Sequence, residues 1–186
     1  MIPEFTVHAK PANNKAKVVF WVLLALAALD FTAYLLMRRF EVQKSGLVGV
    51  VALAFIVAAV SIYTKYISSQ LYYEITHDSD NTALFVVFQM IGKRKTTLCR
   101  IALYEITKIE SESSAERKVH KTPFTHRKYV YFPTLFPTAS YRLTTRSRYE
   151  QAETLVEISD EFAASLLAYV KEAKEIEAQR EADELY

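Results

Sequence analysis

Four histidines, one cysteine and one acidic residue stranded in an apolar run are the side chains of this 186-residue chain with most chemistry to offer. His8, His77, His120 and His126 form no HExxH-type pair, and only His77 gathers metal-type neighbours, Asp78 and Asp80. HDSDN, residues 77–81, reads more simply as a polar turn. Cys99 lies in an alternating stretch, where a small buried hydrophobe is the usual role, and no base beside it marks a nucleophile. A single cysteine also excludes an internal disulfide framework and a multi-cysteine zinc site. Glycine is too scarce for a phosphate-cradling loop: Gly46 and Gly49 fall in an apolar run, leaving Gly92. We therefore expect binding without catalysis, and neither a metal nor a cofactor.

Asp30 is the acid whose setting demands a reason. It lies near the middle of Val18 to Met37, twenty consecutive residues with no other charge. At the centre of a bilayer a carboxylate costs about 2.5 to 3.5 kcal/mol on insertion scales. With the turn centred near Val42, antiparallel pairing sets Asp30 level with Ala54, where Val50 to Ala58 offer no polar side chain. Within its own helix Tyr34, at i+4, is the best-placed partner. The alternatives are a protonated carboxyl bonded to Tyr34, and a contact with a second copy of the chain, with another membrane protein, or with a proton or ion path.

The elements that carry these residues separate into two halves. Met1 to Ile67 holds seven Lys/Arg, three Asp/Glu and nearly all the long apolar runs; from Ser68 onward the count is sixteen against eighteen. Residues 18–37 and 46–63 are each long enough, at about 1.5 Å per residue, to cross roughly 30 Å of hydrocarbon. The short polar break RRFEVQKS, residues 38–45, makes them an antiparallel hairpin. Aromatic and basic flanks agree: Lys15, Lys17, Phe20 and Trp21, then Arg38, Arg39 and Phe40, then Tyr63, Lys65 and Tyr66. We expect an N-terminal segment (1–16), a membrane hairpin (17–67) and a soluble domain (68–186). Basic residues near the spans almost balance. A lone thiol and no Asn-x-Ser/Thr acceptor in the soluble part favour the cytoplasmic face of the plasma membrane for the domain and both termini.

Beyond Ser68 apolar residues alternate, the pattern of half-buried strands. Seven strands are predicted: 71–76, 83–91, 96–102, 104–112, 127–132, 140–147 and 150–158. A helix over 159–184 follows, with Ser159 as N-cap and Phe162, Leu166, Tyr169, Val170 and Ala173 on one face. Past Ala173 it turns polar, so its last turns are expected to project into water.

Seven antiparallel strands closed by an amphipathic helix is the element order of a pleckstrin-homology (PH)-like roll. The stretch LYYEITHDSDNTALFVVFQMIGKRKTTLCRIALYEITKIE, Leu71 to Glu110, resembles the bacterial PH-like family of small membrane proteins. The likeness lies in an aromatic strand ending in Thr and a polar turn, an apolar strand, Gly92, a basic turn, and the step Ile101, Leu103, Ile106. The acidic HDSD turn and the loop at 113–125 depart from that pattern. The resemblance implies an α+β membrane protein, a two-helix hairpin followed by a PH-like seven-stranded antiparallel roll, acting as a module and not as a reaction centre.

Charge supplies the last signal. Residues 68–149 carry thirteen Lys/Arg and seven Asp/Glu, residues 150–186 three and eleven, so the domain is polarised. The cations fall in three groups: Lys93, Arg94 and Lys95 in one turn; Arg117, Lys118, Lys121, Arg127 and Lys128 in and after the loop; Arg142, Arg146 and Arg148 on one strand face. Each held against an anionic leaflet contributes about 1 kcal/mol, which makes them candidates for headgroup contact. A net charge of +2 and an acidic terminal helix argue against nucleic acid. The expected partners are the bilayer, its anionic lipids, and a membrane protein or second copy meeting Asp30.

Overall fold

The computed structural model describes residues 2–8, 15–41, 45–113, 126–137, 139–147 and 151–183. It divides into two compact units: Met1–Lys10 with Gln70–Tyr186, and Pro11–Ser69.

The smaller unit is a pair of helices, α1 (Lys15–Arg39) and α2 (Ser45–Ile62), both long and apolar enough to cross a membrane. Their seam is built from small residues: Ala27 and Ala52 are buried, and Ala59 is fully so. Trp21, Leu29, Leu47 and Val50 stay exposed, as side chains that meet lipid would be. Arg38 and Arg39 occupy the last turn of α1, where cations suit the negative end of the helix dipole. Glu41, at φ 54°, takes the left-handed conformation that ends a helix. α2 continues into a wider turn, Tyr63–Ile67, closed by Ser68 N–H on the Tyr63 carbonyl at 2.8 Å.

Among the described residues the larger unit holds eight strands and one long helix, with a single tight helical turn at Leu103–Glu105: β1 (Phe5–His8), β2 (Ser69–His77), β3 (Ala83–Ile91), β4 (Arg94–Ala102), β5 (Ile106–Ser113), β6 (His126–Tyr131), β7 (Ala139–Arg146), β8 (Gln151–Val156) and α3 (Asp160–Asp183). They form two four-stranded sheets, ordered β1-β2-β3-β4 and β5-β7-β8-β6. The predicted strands are present, yet the single seven-stranded antiparallel roll is not what they build. An eighth strand comes from the N-terminal segment, and β6 lies parallel to β8. Alternation marks a strand without naming its neighbour, and a parallel neighbour must be reached by a long connection, here one that runs through β7.

Alternation does decide the core. Leu71, Tyr73 and Ile75 turn inward from β2, and Phe85 and Val87 from β3. Leu103, Ile106, Leu143 and Val156 meet them, and α3 adds Phe162, Leu166 and Val170. Ser159 caps α3 as expected, its hydroxyl accepting the Phe162 N–H at 3.2 Å. The far end of α3 does not simply project into water. Arg180 reaches the β2–β3 turn, donating to the Asp80 carbonyl and, at 3.4 Å, to Thr82.

Candidate functional site

In the helical unit, two contacts set the register around Asp30. The rings of Phe20 and Tyr63 lie 5.6 Å apart, and Gly49 sits so close to Tyr34 that a Cβ there would stand 3.3 Å from its ring. Asp30 then stands level with Leu53, one residue from the expected Ala54, beside buried Ala52. It lies half-buried on the seam side of α1. The Tyr34 hydroxyl accepts from Arg38 at 3.5 Å instead of meeting Asp30. Thr32 spends its hydroxyl on the Leu29 carbonyl at 2.7 Å. Among the described residues Asp30 has no hydrogen-bonded partner.

Three basic groups were expected, and the structure separates them. Lys93 and Arg94 are exposed at the β3–β4 turn, a two-residue connection that Gly92, at φ +61°, makes possible. Lys95 folds back instead, 2.9 Å from Glu74 and 3.9 Å from the centre of the Phe88 ring. Arg117, Lys118, Lys121 and Arg148 lie outside the described residues. Arg127 and Lys128 are exposed on β6, and Arg146 at the end of β7. Register sets Arg146 opposite Gln151, and Gln151 beside His126, so these three cations share one end of the second sheet.

Arg142, expected to share a solvated face with Arg146, is buried at 9% exposure. Its guanidinium binds Glu112, and Glu153 lies 3.9 Å from Nε. Both carboxylates are 4% exposed. Register explains the meeting: Ser140 stands opposite Glu112 and Thr144 opposite Glu153, which puts all three charges on the face turned away from Leu143. Glu112 Oε2 and Arg142 Nε remain without a hydrogen bond. An isolated buried charge would cost several kcal/mol, so this cluster makes Arg142 a structural residue and removes it from the cations that can face an anion.

The HDSDN turn is held by its own backbone. Asp78 N–H bonds the Thr82 carbonyl at 2.9 Å, Asn81 N–H the Asp78 carbonyl at 2.9 Å, and Asn81 takes φ 61°. His77 turns to Glu4, Nδ1 to Oε1 at 3.2 Å, while its backbone N–H reaches the same oxygen at 3.0 Å. Those hydrogen bonds hold the Glu4 carboxyl below the usual carboxylate range. Among the described residues no three His, Cys, Asp or Glu side chains gather as metal ligands.

Sequence reasoning missed a cleft of about 270 Å³ between the two sheets. Leu98, Cys99, Arg100 and Ile101 of β4 form one wall, Tyr129 and Tyr131 of β6 the other. The two tyrosine rings stack in parallel, 6.5 Å between centres. Tyr131 spans the cleft, its hydroxyl donating to the Leu98 carbonyl at 3.3 Å. Burial, with Cys99 close by, pushes the Tyr131 phenol up to about 12, and burial likewise raises the Cys99 thiol. Below it, Tyr73 ties the sheets together: its hydroxyl donates to the Tyr131 carbonyl at 2.9 Å and accepts the Glu157 N–H at 3.1 Å. The only signal in the sequence was the close spacing of Tyr129 and Tyr131 on one strand face.

No family model, no curated protein and no solved structure matches this chain.

Proposed function

We propose that this protein is a membrane-anchored interaction module, held at the cytoplasmic face of the plasma membrane and docking on anionic lipid headgroups. The observation that carries this reading is the pairing of β1 with β2. His8 stands opposite Tyr72, so the chain leaves one folded domain, runs through two apolar helices, and returns to the neighbouring strand. Two spans bring a chain back to the side it left, which tethers the domain at two adjacent points. Exposed Lys93, Arg94, Lys128 and Arg146 then supply headgroup contacts, each contributing about 1 kcal/mol near an anionic surface.

The test uses the full chain in nanodiscs, anionic or zwitterionic. Amide exchange in the β3–β4 turn slows on the anionic discs, and the slowing disappears in high salt and in the Lys93→Glu/Arg94→Glu variant. Equal exchange on both lipids removes headgroup docking and leaves the anchor. Recovery of the protein in detergent-free aqueous extract removes the anchor as well.

Asp30 supports a second reading, an accessory subunit of a membrane transport or export assembly. A carboxyl without a hydrogen-bonded partner in its own hairpin gains most by meeting a donor on another transmembrane helix. Asp30→Leu would then shrink the complex measured in mild detergent; unchanged size refutes the idea.

A further inference from the structure

We propose that the cleft between β4 and β6 takes an extended acidic segment of a partner polypeptide, added as a strand along β4. This edge shares Arg94 and Lys128 with the proposed headgroup contacts, but the strand edges that carry the inference do not depend on lipid docking. β4 ends one sheet and β6 ends the other, so among the described residues each has one edge without a strand beside it. Such edges present unpaired backbone donors and acceptors. Here they front the same cleft, and residues 94–98 of β4 are exposed along their length. A bulge opens the edge further: Val87 pairs with Cys99 and Phe88 with Thr97, which leaves Leu98 as the extra residue. The Leu98 carbonyl points toward β6, and a phenol reaching across from Tyr131 holds it. An entering strand would replace that phenol with a backbone N–H.

Charge identifies the occupant. β4, RKTTLCRIA, carries three cations and no acid; Arg94 and Arg100 stay exposed, while Lys95 is already paired with Glu74. β6 adds exposed Lys128, and among the described residues one acid, Glu105, lines the cleft. Opposite charges across a strand pair stabilise it by about 0.2 to 1 kcal/mol each, and like charges oppose pairing. A second copy of β4 has no acid to set against these cations, whereas a strand rich in Asp or Glu does, so the edge favours the acidic strand. Tyr129, Tyr131 and Leu98 offer apolar surface to the alternate side chains of that strand, the recognition mode of β-augmentation.

Cys99 is the only thiol in the chain and lines the cleft, so it reports occupancy directly. The full chain in zwitterionic nanodiscs is labelled with a maleimide in the presence of millimolar EVEVTVEV or its basic counterpart KVKVTVKV. The acidic peptide slows labelling about fivefold or more, and the basic peptide does not. In Arg100→Glu, and in Lys128→Glu should that variant fail to fold, the protection by the acidic peptide falls at least threefold. An unchanged rate with the acidic peptide, or equal protection by both, overturns the proposal. So does protection by anionic vesicles alone, because the cleft would then face lipid. Loss of headgroup docking without loss of peptide protection refutes only the lipid reading.

Discussion

Replacing Arg142 discriminates most sharply between a solvated cation and a buried one. In Arg142→Met the aliphatic stem is largely retained, and the charge shared by Glu112 and Glu153 is lost. Both carboxylates are 4% exposed, so the substitution strands them in a poorly hydrated face. Breaking a buried ion pair from one side typically costs 3 to 5 kcal/mol, a large part of a total stability of about 5 to 15 kcal/mol. Glu112→Leu is expected to cost less, about 1 to 3 kcal/mol, because Arg142 keeps Glu153 at 3.9 Å. In the double variant the two losses do not add, and more than half of the Arg142→Met penalty is recovered. Urea unfolding of the full chain in zwitterionic nanodiscs, followed by circular dichroism, measures all three. A loss below about 1 kcal/mol for Arg142→Met would refute the buried cluster, as would additive losses in the double variant. Had Arg142 been a headgroup contact, the same substitution would change lipid docking and leave stability alone.

Tyr73→Phe keeps the buried ring but leaves the Tyr131 carbonyl and the Glu157 N–H without their partner, so unfolding in urea is expected to show a loss of about 1 to 3 kcal/mol. Gly49→Leu forces a side chain into the Tyr34 ring and should destabilise the helical hairpin by about 1 to 3 kcal/mol in a detergent-titration assay, with Gly49→Ala costing less. For Glu4 the sign follows from its lowered carboxyl: the contribution is fully present above the unfolded value and is lost as pH falls through the folded one. Glu4→Gln is therefore less stable than the wild type at pH 6, and the gap closes on acidification; a gap that widens toward low pH would contradict the Glu4–His77 contact.

Local chemistry was legible in the sequence. Runs of eighteen to twenty apolar residues define two long helices, alternation places seven strands to within about two residues in most cases, and Ser159 starts the last helix. Each of these depends on residues near one another in the chain. Partner choice does not. Phe5 to His8 is too short for its alternation to stand out, and becomes a strand because β2 offers it an edge. β6 reads the same whether its neighbour is parallel or antiparallel, and only the packed sheet sets it beside β8. Arg142 and Arg146 are alike in sequence terms, four residues apart on one strand face. One is buried and one exposed because register brings Glu112, thirty residues earlier, across from Ser140. Burial of a charge is stable only where an opposite charge is already waiting, and that coincidence belongs to tertiary structure alone.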